Sequence, residues 1–275
     1  MPSSASGQRR PQTRRTATVE FVRGSVRGSR RRALATLPSL FTLGNMFCGF
    51  AAILVSIRGN HTLAAVLIGL SVLFDIVDGA VARLVGAVTP FGLQFDSLAD
   101  LVSFGLAPAL LAFTLFSEGH DGWDPLGWVV CFLWVACAAI RLARFNTTID
   151  PTADKRYFIG LPSPGAAGVV LASVFAFGDA MQGRDRLWVL LVVALPALLM
   201  VSTIRFRSFR SLVSPRSGRP YGLIATAVLL AVGFALAPVI TFCVLAYGYL
   251  LAPVLVPVFS PLARLVPARV KEVLA

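Results

Sequence analysis

From residue 35 onward, apolar runs of roughly 20 residues alternate with short polar connections carrying Gly, Pro, His or charged residues. A helix rises about 1.5 Å per residue, so each run can cross a hydrocarbon core about 30 Å thick. The runs fall near residues 37–57, 61–82, 93–117, 125–145, 160–182, 187–205, 221–237 and 238–258. They predict an all-α fold, a polytopic transmembrane helical bundle of about eight spans. The last two runs form one apolar stretch interrupted at Pro238. That stretch reads either as a tight hairpin or as a kinked span followed by a re-entrant piece. Residues 1–34 have no apolar periodicity and read as a basic, disordered arm rich in Ser, Gly, Pro, Thr and Arg.

Composition excludes a water-soluble domain. Hydrophobic residues make up 56% of the 275 and charged residues 14%, with a mean hydropathy of +0.78. The net charge of +12 would suit a nucleic-acid partner, but its distribution argues against one. Nine arginines crowd into residues 1–32 beside a single acid, Glu20, without interleaved aromatics or a folded binding module. Nor does the arm carry an apolar core and cleavage site directly behind its charges, so it is expected to be retained.

Lys and Arg favour the cytoplasmic side of a membrane. With eight crossings and the N-terminus inside, all but three of the 25 Lys and Arg fall on the inner side; Arg58, Arg184 and Arg186 remain outside. Both termini are therefore expected in the cytoplasm, in a multi-pass protein of the cell membrane. Any site between the second and third spans would open at the cytoplasmic mouth. The basic run from Arg205 to Arg219 reads as an inner loop attracted to anionic head groups.

Cys48, Cys131, Cys137 and Cys243 lie inside apolar runs without metal-ligand or disulfide spacing. His61 and His120 sit in polar connections far along the chain from the acids, which argues against a zinc site. No P-loop, dinucleotide fingerprint or nucleophile elbow is present.

The candidate chemistry is acidic. Asp75, Asp78, Asp96 and Asp100 are the only acids between residues 33 and 117, in sequence otherwise apolar enough for a bilayer. Ionisable groups at membrane depth are costly and usually face a functional cavity. Helical spacing puts Asp75, Asp78, Gly79 and Ala82 on one stripe, and Gly92, Asp96, Asp100 and Ser103 on another. Thr89-Pro90-Phe91-Gly92 supplies the turn that lets the two stripes face each other. Four carboxylates with no other ligand type suit a hard cation, Mg²⁺ or Mn²⁺, which commonly completes its shell with substrate phosphates. Arg83, one position off the stripe, is placed to pair with a phosphate oxygen. A divalent cation, a phosphate partner and a spare carboxylate together suit phosphoryl-group transfer.

The frame Asp75-x2-Asp78-Gly79-x2-Ala82-Arg83-x8-Gly92-x3-Asp96-x3-Asp100 resembles the signature of the CDP-alcohol phosphatidyltransferase family at every fixed position. The resemblance implies that residues 35–182 form the catalytic core, followed by transmembrane helices over 183–259 and a cytoplasmic tail at 260–275. It further implies that Asp75, Asp78 and Asp96 hold metal, with Asp100 as general base close to the same site. Gly79, Ala82, Arg83 and Gly92 would line the CDP part of the lipid substrate. The implied reaction attacks the lipid-linked phosphorus of a CDP-lipid with an alcohol and releases CMP. A homodimer is implied on the same ground alone.

Further stretches resemble the phosphatidylserine synthase branch of that family. They are Thr42-Leu43-Gly44-Asn45-Met46-Phe47-Cys48-Gly49-Phe50, Asp96-Ser97-Leu98-Ala99-Asp100, Ser103-Phe104-Gly105, Arg141-Leu142-Ala143-Arg144-Phe145-Asn146 and Gly160-Leu161-Pro162-Ser163-Pro164-Gly165. The implied substrates are CDP-diacylglycerol and L-serine. Thr42 and Asn45 either satisfy interhelical hydrogen bonds or contact the nucleotide. Arg141 and Arg144 either anchor the inner face, grip the serine carboxylate or bind the lipid diphosphate. Asn146 reads as a helix C-terminal cap or an acceptor contact, and Ser163 as an acceptor contact at the start of the fifth span. Glycerol 3-phosphate or inositol phosphate stands as an alternative acceptor. A secondary transporter would use intramembrane acids too, but should show repeat symmetry and a second acidic cluster.

Overall fold

The computed structural model describes residues 39–85, 89–117, 125–147, 157–178, 186–207 and 220–264. The basic arm of residues 1–34, most of the Arg205–Arg219 loop and residues 265–275 of the tail lie outside the described residues. Helix α1 spans Ser39–Ile57 and α2 spans His61–Val85. Between them Gly59 takes a φ of 79°, the left-handed conformation that closes a helix, and Asn60 Oδ1 accepts from Leu63 N at 3.0 Å to open the next.

Helix α3 (Pro90–Asp100) starts as its sequence dictates. Thr89 caps it by accepting from Gly92 N, and Pro90 takes the first turn, where a missing N–H costs nothing. A π-helical segment, Leu101–Leu106, joins α3 to α4 (Ala107–Ser117). The wider turn leaves the Phe104 carbonyl free to accept from the Trp134 indole at 3.0 Å. Then come α5 (Pro125–Thr147), β1 (Tyr157–Ile159), α6 (Ser163–Phe177), α7 (Arg186–Val201), β2 (Arg205–Arg207), α8 (Pro220–Leu236) and α9 (Pro238–Arg264).

Two apolar clusters hold the bundle. One gathers α4, α5, α6, α7 and α9 around Trp134, Val193 and Met200; the other joins α1, α2, the π segment, α4 and α6 around Ile68, Phe104 and Leu111. Side-chain pairs such as Ser56–Thr114 (2.7 Å) and Ser173–Tyr247 (2.6 Å) link helices across the interior, as expected where lipid offers polar groups no partner. Large apolar side chains including Phe47, Phe50, Trp128 and Phe132 point outward. Among the described residues, four helices are long and apolar enough to cross a membrane: Ser39–Ile57, His61–Ala82, Pro90–Leu115 and Pro125–Thr147.

The described residues are mostly helical, as the apolar runs predict, and β1 and β2 add one short antiparallel pair, with Phe158 opposite Phe206. The fifth run therefore begins its helix at Ser163 rather than 160, and the sixth stops at Val201 rather than 205. Phe206 is buried, while Arg205 beside it is exposed, an alternation of period two that a count of apolar length does not register. Gly160 makes the join: its φ of 81° suits glycine, and a Cβ there would strike the Met200 carbonyl.

At Pro238 the apolar stretch bends sharply. Gly233 and Thr241 would lie about 12 Å apart along a continuous helix, yet a Cβ on Gly233 would be 2.8 Å from Thr241 Oγ1.

Candidate active site

Helices α2 and α3 each present two aspartates at helical spacing, and the turn at Thr89–Pro90 sets them side by side. The carboxylates of Asp75, Asp96 and Asp100 converge, each offering an oxygen within 4.8 Å of the others. Asp78, within electrostatic reach of Asp75 and Asp96, adjoins this trio. It is buried, and its Oδ2 accepts a hydrogen bond from Thr42 Oγ1 on α1.

The same face of α1 reaches the trio. Asn45 is fully buried and its Nδ2 donates to Asp100 Oδ1 at 3.0 Å. Its Oδ1 is buried with no partner among the described residues. Ser103 Oγ, in the π segment, donates to the Asn45 backbone carbonyl at 2.9 Å. Gly79 and Ala82 continue the α2 stripe, half-buried, while the Arg83 side chain lies outside the described residues. Gly92 uses its own amide in the α3 cap.

Helix α5 supplies a cation. Arg141 lies within electrostatic reach of Asp75 and Asp100, and its Nη1 donates to Ser163 Oγ at 2.7 Å. Its Nε is buried without a partner among the described residues, so the guanidinium keeps a donor to offer. Arg144, one turn on, faces elsewhere. It donates to the Val201 and Ile159 carbonyls, both at 3.3 Å, and so clasps the two strand-bearing connections together. Asn146 donates to Ser97 Oγ at 2.9 Å and ties α5 to α3. Ser163 opens α6 and is fully buried.

Three carboxylates this close repel one another strongly in a medium of low dielectric. The donor set contains oxygen only, without His or Cys, and one guanidinium does not balance it. It fits a hard divalent cation held by Asp75, Asp96 and Asp100. Such a cation beside a half-buried Arg and a carboxylate suits phosphoryl-group chemistry.

The family model for CDP-alcohol phosphatidyltransferase matches residues 35–179, the stretch that contains all four aspartates. The chain belongs to the CDP-alcohol phosphatidyltransferase family. Curated relatives share enough sequence to extend the comparison. A CDP-diacylglycerol–serine O-phosphatidyltransferase of Helicobacter pylori is 37% identical, covering 64% of this chain and 74% of the relative. One of the same name from Mycobacterium bovis is 34% identical over 78% of this chain and 76% of its own length. An archaetidylserine synthase of Methanothermobacter thermautotrophicus is 37% identical over 62% of this chain and 69% of the relative. As a member of this family of membrane enzymes, with four helices of spanning length, the chain is an integral membrane protein.

Two further residues pack around the CDP-alcohol phosphatidyltransferase site, Gly49 inside the Thr42–Phe50 stretch and Tyr249 outside every quoted motif. Gly49 sits where a Cβ would come within 2.6 Å of Ser103 Cα, which lets α1 lie against the π segment. Tyr249, from α9, lies within electrostatic reach of Arg141 and packs on Gly165, where a Cβ would be 3.2 Å from its ring. Its phenol, like that of Tyr247, is a polar group in a largely apolar helix and was the available hint.

Proposed function

We propose that the protein makes phosphatidylserine and CMP from CDP-diacylglycerol and L-serine. The observation that carries this reading is the meeting of Asp75, Asp96 and Asp100 on the family's motif, with the Arg141–Ser163 corner beside them. The names of the relatives support serine as the acceptor.

A bound Mg²⁺ or Mn²⁺ would neutralise charge developing on the diphosphate. Asp75, Asp78, Asp96 and Asp100 would hold it. Gly79, Ala82 and Gly92 leave room for the CDP moiety, and Arg83 pairs with its phosphates. Asp100 accepts the hydroxyl proton of serine as that oxygen forms a bond to the lipid-linked phosphorus. The bond from that phosphorus to the bridging oxygen breaks, and CMP leaves with the electron pair. Arg141, with its spare Nε donor, and Ser163 hold the serine carboxylate. Arg144 and Asn146 act at one remove, by fixing the connections and the α3–α5 contact that shape this corner.

The distribution of Lys and Arg supports eight crossings, cytoplasmic termini and a site facing the cytoplasm of the cell membrane. Asp78 lies 17 residues beyond His61, about 26 Å along α2, so the site sits at the end of the bundle away from Arg58. Residues 35–182 are taken as the catalytic core, residues 183–259 as additional membrane helices and a homodimer as the assembly, on family resemblance.

The test is CMP release by the purified protein given CDP-diacylglycerol, Mg²⁺ or Mn²⁺ and one acceptor at a time. Serine is expected to support release and phosphatidylserine formation. Release with glycerol 3-phosphate or inositol phosphate alone would overturn the assignment.

A further inference from the structure

The stretch from Thr42 to Gly49 on α1 faces both acid-bearing helices, and each of its small or polar positions meets a different part of them. Thr42 donates its hydroxyl to Asp78 on α2. Gly44 leaves space for the Phe74 ring, which a Cβ would approach to 3.2 Å, one residue before Asp75. Asn45 donates to Asp100 on α3. Gly49 lets the backbone of Ser103 come close, and Ser103 Oγ returns a hydrogen bond to the Asn45 carbonyl. Positions 42, 45 and 49 fall at i, i+3 and i+7, a single helical face.

A nucleotide contact would need donors that are free. Thr42 has one O–H, and it is committed to a carboxylate. Asn45 is fully buried, with one amide hydrogen on Asp100 and its backbone carbonyl held by Ser103, and it keeps its Oδ1 and a second amide hydrogen. Both residues engage the acids directly.

We propose that the first span is the positioning arm of the acid cluster, in which Thr42 and Asn45 orient the Asp78 and Asp100 carboxylates. Gly44 and Gly49 set the depth at which the arm lies. This inference rests on the phosphatidyl-transfer reading for its consequence but not for its geometry. Hydrogen-bonding partners one step behind metal-binding residues are worth about 10–100-fold in metal affinity or activity.

The experiment compares Thr42→Val, Thr42→Ser and Asn45→Ala with the unaltered protein, all full-length in detergent. Mn²⁺ binding is measured without substrate by the loss of free-ion electron paramagnetic resonance signal. The kcat and the KM for CDP-diacylglycerol are measured with serine. Thr42→Val and Asn45→Ala are expected to lower Mn²⁺ affinity and kcat about 10–100-fold, with the KM for CDP-diacylglycerol little changed. Thr42→Ser, which keeps the hydroxyl, is expected to restore both.

Unchanged Mn²⁺ affinity and kcat with a raised KM would overturn the proposal in favour of a nucleotide contact. Variants equal to the unaltered protein in every readout would overturn it as well. If the unaltered protein makes no phosphatidylserine, the transfer reading fails alone, because the Mn²⁺ titration still decides the role of the arm.

Discussion

Asp100 is the acid with the most neighbours of consequence: it belongs to the convergent trio, accepts from Asn45 and lies within reach of Arg141. A general base contributes about 10²–10⁴-fold to rate. Asp100→Asn keeps the shape and removes the proton acceptor, so turnover is expected to fall by that factor with CDP-diacylglycerol binding largely intact. Full activity in this variant, measured by CMP release at saturating serine, would remove Asp100 from the mechanism. The four aspartates were legible because charge inside apolar sequence stands out. The hydrogen bond that Asp78 accepts from Thr42 was not, because Thr42 lies on another helix 36 residues earlier in the chain.

At the scale of elements, helices and their caps were readable from apolar length and from punctuation such as Thr89–Pro90. The strand pair was hidden because three-residue strands at the ends of apolar runs carry too little alternation to compete with the helical signal. The π segment was hidden for a different reason: its register depends on partners, Trp134 on the Phe104 carbonyl and Ser103 on α1. Arg144 shows how such an element is held. It bonds the carbonyls of Ile159 and Val201, and hydrogen bonds from a charged group contribute about 1.5–3 kcal/mol each. Arg144→Ala is expected to lower the thermal midpoint of the purified protein by several degrees while leaving Mn²⁺ affinity unchanged. A variant as stable as the original, but with a raised KM for serine, would make Arg144 a substrate contact instead.

The described residues form a helical bundle with an apolar exterior, and Asp75, Asp78, Asp96 and Asp100 gather where the second half of α2 meets the second half of α3. The proposed sidedness rests on charge alone and is testable as such. Arg58 and Arg205 are both exposed, at positions assigned to opposite faces. A membrane-impermeant thiol reagent is expected to label Arg58→Cys in intact cells, and Arg205→Cys only after permeabilisation. The reverse pattern would invert the topology. The account stands or falls on whether the acids act through a shared cation. Phosphatidylserine formation by chelator-treated protein, followed as Mn²⁺ or Mg²⁺ is added back, addresses this in one titration. Synthesis should be absent in the chelator and return with the ion, and Asp96→Asn should need far more of it. Synthesis that continues in excess chelator, or an Asp96→Asn curve that overlays the original, would contradict a metal pocket built from these carboxylates.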